Sequence, residues 1–187
     1  MVARDLLGAW LVRQTGEGVS AGVIVETEAY GGSADLASHA RAGRTRRTAP
    51  MFGPVGHAYV YLVYGMHECL NVTAHHEQLA GAVLLRALQP VTGVELMRLR
   101  RARPAERDDR LASGPARLCH AMAVDRAFDG YDLTAGEDLW LARPGMYRSP
   151  AEDDVAVGPR VGVGYAGDEW SVRPWRFWLR GNPSVSR

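Results

Sequence analysis

The stretch VIVETEAY, residues 23–30, is the clearest β-strand pattern in this sequence. Side chains alternate between the two faces of a strand, so Glu26, Glu28 and Tyr30 are predicted to share one face. Two carboxylates within a run of β-branched residues are costly to bury without a partner or a use. The stretch therefore predicts a sheet with a candidate site on one of its faces.

A second strand-like stretch, YVYLVYGM at residues 59–66, predicts a β-hairpin over residues 58–64 and 67–74. Alternation places Tyr59 and Tyr61 on one face and Tyr64 on the other. Hairpin tips are exposed, and an exposed Tyr64-Gly65-Met66 tip is a candidate wedge for entering a base stack. The alternative is that the tyrosines are ordinary strand residues, since tyrosine favours sheets.

The rest of the chain predicts short strands mixed with a few helices. Helices are expected at residues 2–10, 90–103 and 113–124, with Ser113 as an N-cap, and further strands at residues 11–13, 82–87, 160–165 and 175–180. Strands and helices do not alternate regularly. We therefore expect an α+β fold with a mainly antiparallel sheet and flanking helices, in one domain over residues 1–187.

Composition limits the possible chemistry. The chain has 187 residues, 47% hydrophobic and 23% charged, which suits one globular domain. All 22 basic residues are arginines, so a lysine Schiff base and a phosphate-loop lysine are excluded. Two cysteines are too few for a secreted disulfide framework, and we expect both to be reduced in a cytoplasmic protein. No membrane span, secretory signal or long leader is expected.

Glu26 and Glu28 are the leading candidates for catalysis. Paired carboxylates are typical of glycosidic bond cleavage, in which one of them deprotonates water. The alternative is that both are solvated on a half-exposed sheet face, and their spacing alone favours this alternative. Tyr30 and His39 favour the catalytic interpretation, because together they could line a pocket. The six histidines show no metal-binding spacing, so no metal site is expected.

An arginine-rich stretch follows His39. It contains two threonines and no acidic residue, so it is either a solvated loop or a phosphate-binding strip. Its arginines are Arg41, Arg44, Arg46 and Arg47.

Several longer motifs resemble those of one known family. The sequence is similar to the alkyladenine (3-methyladenine) DNA glycosylases of the mammalian type, which also occur in bacteria. The similarity covers nearly the whole chain, and motifs of this length in this order are highly specific. They are VETEAY at 25–30, SH at 38–39, MF at 51–52, YVY at 59–61, YGM at 64–66, Asn71, LLRAL at 84–88, SGP at 113–115, LC at 118–119 and RVGVG at 160–164.

The resemblance implies the fold and the catalytic residues. It implies a single domain built on a curved, mainly antiparallel sheet, from which a hairpin protrudes into the DNA minor groove. Glu28 matches the carboxylate that positions and deprotonates water. Arg86 matches a residue that helps to orient the water or a nearby phosphate.

The resemblance also implies the residues that contact DNA. The pocket for the flipped base would be lined by Tyr30, His39, Tyr61 and Asn71, and Asn71 is associated with excluding guanine. Tyr64 matches the wedge that replaces the extruded nucleotide, and Met66 lies beside it. Three departures from the family pattern are His67, where an aromatic residue is common, a slightly long loop at 74–81 and a shortened region at 98–110.

The implied activity is a monofunctional DNA repair glycosylase. It would hydrolyse the N-glycosidic bond of damaged purines in double-stranded DNA with water, without a cofactor, and act as a monomer. A lysine-free chain agrees with this, because a lysine-dependent lyase step is impossible. Two alternatives remain: a non-catalytic damage-binding module on the same fold, and a carbohydrate hydrolase that uses Glu26 and Glu28.

Overall fold

The computed structural model of the chain describes residues 1–75, 79–143 and 149–186. The strands in these ranges are β1 Trp10–Thr15, β2 Gly18–Tyr30, β3 Ala58–Val63, β4 His67–Thr73, β5 Ala82–Thr92, β6 Leu139–Ala142, β7 Val155–Gly158 and β8 Arg176–Leu179. The helices are α1 Val2–Asp5, α2 Val94–Arg101, α3 Asp108–Leu111, α4 Pro115–Ala121 and α5 Gly167–Ser171. None of the described helices is long and apolar enough to cross a membrane.

The sheet is built around the long strand β2. Its strand order is β3-β4-β5-β2-β1-β6, and β8 pairs with both β2 and β7. Every pairing between these strands is antiparallel, which confirms the α+β class with a mainly antiparallel sheet. The register between β2 and β5 shifts near Glu26, and such irregularities let a strand bend.

The two faces of the sheet serve different purposes. One face packs on the helices and forms the main hydrophobic core. From the sheet, this core takes alternate residues of each strand, among them Ile24, Ala58, Val60, Leu70, Val72, Val83 and Leu85. In β3, β4 and β5 the residues between them, such as Tyr59, Tyr61, Asn71 and Arg86, therefore point to the opposite face. In β2 the register shift between Ile24 and Glu26 places Glu28 on that face as well. The candidate site residues that lie on strands thus come from the face that the main core leaves free.

The opposite face carries two small apolar clusters. One contains Met51 and Tyr59, with Tyr61 packed against it. The other contains Ala37 and Val163, with Tyr30 packed against it. These clusters support the loops that follow β2 and β7, so the loops lie over the polar face of the sheet.

Two predicted helices begin or end elsewhere. The helix predicted at residues 2–10 ends after one turn, at Asp5, because β1 already begins at Trp10. The helix predicted at residues 90–103 begins only at Val94, because β5 continues through Thr92. In both cases strand pairing in the sheet outweighs the local helical pattern.

Two further predictions are wrong in detail. Ser113 is not an N-cap, since Gly114 holds that position and the Ser113 hydroxyl donates to the carbonyl oxygen of Val185, 3.4 Å away. The segment 160–165 is not a strand. It turns at Gly162, whose φ of 73° is a conformation that glycine adopts easily, and it forms a short 3₁₀ turn at Gly164–Ala166.

The hairpin of β3 and β4 has a strained tip. Val63 pairs with His67, and the N–H of Met66 donates to the carbonyl oxygen of Val63 at 3.2 Å. Tyr64 and Gly65 both have positive φ, 52° and 72°, as in a type I′ turn. Tyrosine is unfavourable in this conformation, by roughly 1–2 kcal/mol. Tyr64 is nevertheless 92% exposed, so its ring is held out in solvent rather than packed.

Both cysteines, Cys69 and Cys119, are free and buried, as predicted for reduced thiols. The loop at 74–81, which the sequence predicts to be slightly long, lies partly outside the described residues, which omit 76–78.

Candidate active site

Glu28 is a buried carboxylate held by three donors on the polar face of the sheet. Its side chain is wholly buried. One oxygen, Oε1, accepts the Val161 backbone N–H at 2.7 Å and lies 3.3 Å from Nη1 of Arg86. The other oxygen, Oε2, accepts the hydroxyl hydrogen of Tyr30 at 2.8 Å. Three donors from β2, β5 and the segment after β7 thus fix the orientation of the carboxylate.

The environment makes Glu28 a stronger base than an ordinary carboxylate. Burial raises the pKa of Glu28, and the opposing effects of Arg86, the Val161 N–H and Tyr30 do not cancel the increase. Burial and the neighbouring Glu28 also raise the pKa of Tyr30, so its hydroxyl keeps its hydrogen and donates it. A raised pKa suits a carboxylate that takes a proton from water at neutral pH.

Glu26 is also wholly buried, but it is placed differently. It accepts hydrogen bonds from Arg86, Arg176 and Ser186, and of these three donors only Arg86 lines the cleft beside Glu28, whereas all three donors to Glu28 line it. The alternative that Glu26 and Glu28 are solvated is therefore wrong. Arg86 lies between them, since its Nε donates to Glu26 at 3.0 Å and its Nη1 faces Glu28, so both carboxylates lie on one face as alternation predicts.

Aromatic side chains surround a recess next to Glu28. The rings of His39 and Tyr61 meet edge to face with centroids 4.6 Å apart, and Tyr59 stacks on Tyr61 at 5.3 Å. Nδ1 of His39 lies 2.9 Å from the Tyr59 hydroxyl. The residues lining the recess are Tyr30, Ala37, His39, Met51, Tyr59, Tyr61, Asn71, Ala82 and Tyr165. All four predicted base-pocket residues thus lie together.

A larger cleft joins the recess to the hairpin. Its volume is about 710 Å³, within the range of small-molecule sites, whereas the recess alone holds about 40 Å³. The three donors to Glu28, namely Tyr30, Arg86 and Val161, all contribute to its lining. Tyr64 and Gly65 line its far end. Met66 is exposed but lines a separate depression on the other side of the hairpin tip.

His39 is neutral at physiological pH. Burial, together with the Arg47 and Arg41 guanidinium groups, lowers the pKa of His39 to about 4. A neutral imidazole does not repel a positively charged ligand in the recess.

We expect ligand binding in the recess to show no transition near pH 6.5. An ordinary histidine titrates there, but His39 would gain its proton only near pH 4. The measurement is the affinity for a recess ligand between pH 5.5 and 8, with His39→Gln as a control that cannot titrate. A binding transition near pH 6.5 that His39→Gln removes would contradict the prediction.

Sequence reasoning missed several residues of the site. Tyr59, interpreted there only as a strand residue, lines the recess and contacts His39. Tyr165 lies over the recess with its hydroxyl donating to the carbonyl oxygen of Ala37 at 2.9 Å. Val161 acts through its backbone, which carries no side-chain signal. The alternation that selected Tyr61 also selects Tyr59, so that residue could have been found.

A buried ion pair holds the wall of the site. Both Arg160 and Asp35 are almost completely buried and form a bidentate pair, with N···O distances of 2.6 and 3.0 Å. The Arg160 guanidinium also lies over the ring of Tyr30, 4.8 Å from its centroid. This pair joins the loop before His39 to the segment that carries Val161.

Asn71 is buried at the edge of the recess, and its Nδ2 donates to the carbonyl oxygen of Tyr59 at 3.0 Å. Its side chain is therefore held by the neighbouring strand and presents a fixed edge to the recess.

The arginine strip borders the site. Arg41, Arg44, Arg46 and Arg47 are all exposed. Arg47 lines the cleft with its guanidinium over the ring of Tyr61, at 5.5 Å, and Arg41 lies over Tyr165 at 5.4 Å. Arg44 and Arg46 line neither the recess nor the cleft. The strip therefore presents positive charge beside the opening.

Comparisons with known proteins agree with this geometry. A family described as methylpurine-DNA glycosylase matches residues 1–183. The human protein named DNA-3-methyladenine glycosylase is 44% identical over 194 residues, covering 99% of this chain and 63% of the human protein. A relative from Methanocella arvoryzae, provisionally named 3-methyladenine DNA glycosylase, is 46% identical over 186 residues, covering all of this chain and 90% of that protein.

A Streptomyces avermitilis relative with the same provisional name is 49% identical over 185 residues, covering 99% of this chain and 84% of that protein. Similarity at this level extends over the whole described fold, including each strand that contributes to the recess and the cleft.

Proposed function

Because the chain belongs to the methylpurine-DNA glycosylase family, we propose that it removes alkylated or deaminated purines of the 3-methyladenine type from double-stranded DNA by hydrolysis. The observation that carries this proposal is the placement of Glu28. It is a buried carboxylate of raised pKa whose three donors line a cleft running from an aromatic recess to an exposed hairpin tip. We propose that the activity belongs to one domain over residues 1–187 and that the protein acts as a monomer.

Glu28 acts as the general base. A water molecule reaches Oε1 between Arg86 and Val161 and transfers a proton to the carboxylate as its oxygen bonds to C1′ of the deoxyribose. The N-glycosidic bond breaks, and its electron pair stays on the nitrogen of the departing purine. An alkylated purine that is already cationic leaves as a neutral base, whereas a neutral purine such as hypoxanthine leaves as an anion that takes a proton from water. In both cases the enzyme has to bind, orient and activate the attacking water.

The aromatic recess holds the flipped base. Tyr30 and Tyr61 offer flat faces on which a purine stacks, and the neutral His39 completes the wall without repelling a cationic base. Asn71 presents its fixed amide to the purine edge, and we assign it to discrimination against guanine. Stacking contributes roughly 1–3 kcal/mol per base, which offsets a large part of the cost of flipping.

Tyr64 fills the space that the flipped nucleotide leaves. Its ring is exposed at the hairpin tip, and its backbone holds a positive φ that is unfavourable for tyrosine. Local strain of this kind is kept where it serves a function, so we assign the ring to a contact with DNA. Met66, exposed beside it, contacts the DNA on the other side of the tip.

The experiment that tests the proposal is base release from a duplex oligonucleotide with one hypoxanthine or ethenoadenine, with and without alkali afterwards. Strand breaks that appear only after alkali establish a monofunctional glycosylase. A second substrate, methylated DNA, tests the release of cationic alkylpurines. Tight lesion binding without release from either substrate would contradict catalysis and favour a damage-binding module.

We expect the rate of base release to fall at low pH. The base must be deprotonated to act, and burial raises the pKa of Glu28 above its ordinary value of 4.5. The rate should therefore drop as the pH falls through a value above 4.5. Arg86→Gln should move this drop to higher pH, because it removes the positive charge that favours the carboxylate. The measurement is single-turnover release between pH 4.5 and 8, and an unshifted drop in Arg86→Gln would argue against the assignment.

We expect Arg44 and Arg46 to contribute to affinity but not to chemistry. Removing one arginine–phosphate interaction should reduce the slope of log affinity against log salt by about 0.9. Arg44→Ala and Arg46→Ala should each weaken duplex binding at low salt and leave single-turnover release at saturating enzyme unchanged. Arg107→Ala, an exposed arginine outside the strip, is the matched control. If log affinity fell with log salt at the same slope in Arg44→Ala, Arg46→Ala and Arg107→Ala, Arg44 and Arg46 would not contact DNA phosphates.

A further inference from the structure

The described segment that follows β8 returns to the sheet beside Glu26. Asn182 donates from Nδ2 to Oε1 of Gln89 at 2.8 Å, and the Ser113 hydroxyl donates to the carbonyl oxygen of Val185. These contacts hold residues 182–186 against β5 and the start of α4. Ser186, which is 8% exposed, consequently lies among buried charges.

Ser186 contacts three of those charged groups. Its backbone N–H donates to Oε2 of Glu26 at 2.7 Å, and its hydroxyl donates to Oε1 of Glu26 at 2.9 Å. The same hydroxyl accepts a hydrogen bond from Nη2 of Arg86 at 3.2 Å. Its carbonyl oxygen accepts one from Nη2 of Arg176 at 3.1 Å. Every polar group of this residue is engaged.

These contacts determine how the Arg86 guanidinium is turned. Nε is held by Glu26 at 3.0 Å and Nη2 by the Ser186 hydroxyl, so the remaining nitrogen, Nη1, faces Glu28. A guanidinium is planar, so fixing two of its nitrogens fixes the third. Glu26 in turn needs its donors from Ser186 and Arg176, because an unpaired buried carboxylate is strongly disfavoured.

We propose that Ser186 is a positioning residue of the active site, which acts through Glu26 and Arg86 to keep Nη1 of Arg86 against Glu28. The proposal rests on the assignment of Glu28 as the base. It gives Ser186 a part in positioning the catalytic groups, although Ser186 contributes nothing to the lining of the cleft or the recess. It also explains why Glu26 is present, since Glu26 anchors Arg86 and does not activate water.

The segment provides its own matched control. Ser184 is also buried, at 1% exposure, but its hydroxyl oxygen has no hydrogen-bond partner within the part of the chain that the structure describes. Ser184→Ala therefore removes a buried hydroxyl from the same segment without touching the charged network. A loss that is specific to position 186 is a loss of positioning rather than of packing.

The test compares Ser186→Ala, Ser184→Ala and the wild type in single-turnover base release from pH 4.5 to 8. For Ser186→Ala we expect a rate about tenfold lower, as for a lost hydrogen bond to a charged group. We also expect its low-pH drop to move to higher pH, because a looser Arg86 favours the Glu28 carboxylate less. Lesion affinity, measured with Glu28→Gln and with Glu28→Gln/Ser186→Ala, should be equal. Ser184→Ala should match the wild type throughout.

A nearly isosteric pair guards against misfolding of the alanine variant. Ser186→Thr keeps the hydroxyl and Ser186→Val lacks it, so the threonine variant should release base about tenfold faster than the valine variant. Equal rates in that pair, an unshifted pH profile in folded Ser186→Ala, or equal losses in Ser184→Ala and Ser186→Ala would each overturn the proposal. Absence of release by the wild type would instead refute the proposed function, so the two failures are distinguishable.

Discussion

Glu28→Gln is expected to lose base release by about 10²–10⁴-fold, the usual contribution of a positioned general base. Glutamine keeps the shape of the side chain, and its oxygen can still accept from the Val161 N–H and from Arg86. Its NH₂ group can donate to the Tyr30 hydroxyl, which then acts as acceptor. The substitution therefore removes the proton acceptor and leaves the architecture in place.

The measurement is single-turnover release together with affinity for a lesion duplex. We expect wild-type affinity in Glu28→Gln, because the base stacks on the aromatic residues of the recess and not on the carboxylate. Glu169→Gln, at an exposed position, is the matched control for a lost carboxylate and should release base normally. Substantial turnover in Glu28→Gln would show that a group other than Glu28 acts as the general base.

Glu28→Gln should also affect the stability of the fold. A carboxyl group whose pKa is raised by folding stabilises the fold while it is protonated, and that contribution is lost as the pH rises through the raised pKa. At neutral pH the charged Glu28 therefore costs folding free energy, which a neutral glutamine does not. We expect Glu28→Gln to unfold at a temperature no lower than the wild type at pH 7, as for a residue kept for function at the expense of stability.

The sequence predicted the sheet and one side of the site because both depend on local alternation. Glu28 and Tyr30 are two residues apart on one strand, and Tyr59 and Tyr61 repeat that spacing on another. The correct face could therefore be identified from the strands alone. The predicted start of the helix at residue 90 was wrong because β5 extends through Thr92. The length of a strand depends on its pairing partners and not on its own residues alone.

Other parts of the site have no local signal. Arg86, which lies 60 residues from Glu26, was identified only through resemblance to a family. Without that partner, two glutamates on a strand look solvated. Ser186 and Val161 contact the carboxylates of β2 from 160 and 133 residues away. A serine and a backbone amide at such distances carry no pattern that composition or periodicity can detect.

Asp35→Asn is expected to lower the free energy of unfolding by about 3–5 kcal/mol, the cost of breaking a buried ion pair from one side. Arg160 would remain charged and wholly buried without its bidentate partner. The N–H of Gly31 donates to Oδ2 of Asp35 and that of Ala37 to Oδ1, so the single oxygen of asparagine keeps only one of these hydrogen bonds, and the loss combines that bond with the charge. The measurement is urea unfolding at pH 7. Glu169→Gln, which breaks an exposed pair with Arg173, should cost less than about 1 kcal/mol.

Asp35→Asn should also slow base release at temperatures where it is folded, because Arg160 lies over Tyr30 and precedes Val161, which binds Glu28. Adding Arg160→Met to Asp35→Asn should recover part of the stability, since removing both charges of a buried pair costs far less than removing one. It should not recover the rate, because the methionine lacks the guanidinium that donates to the carbonyl oxygens of Ala29 and Trp170. Recovery of both the stability and the rate would show that the ion pair contributes only to packing and not to the geometry of the site. Recovery of stability alone would show that the fold tolerates an apolar pair here and that the ion pair serves the geometry of the site.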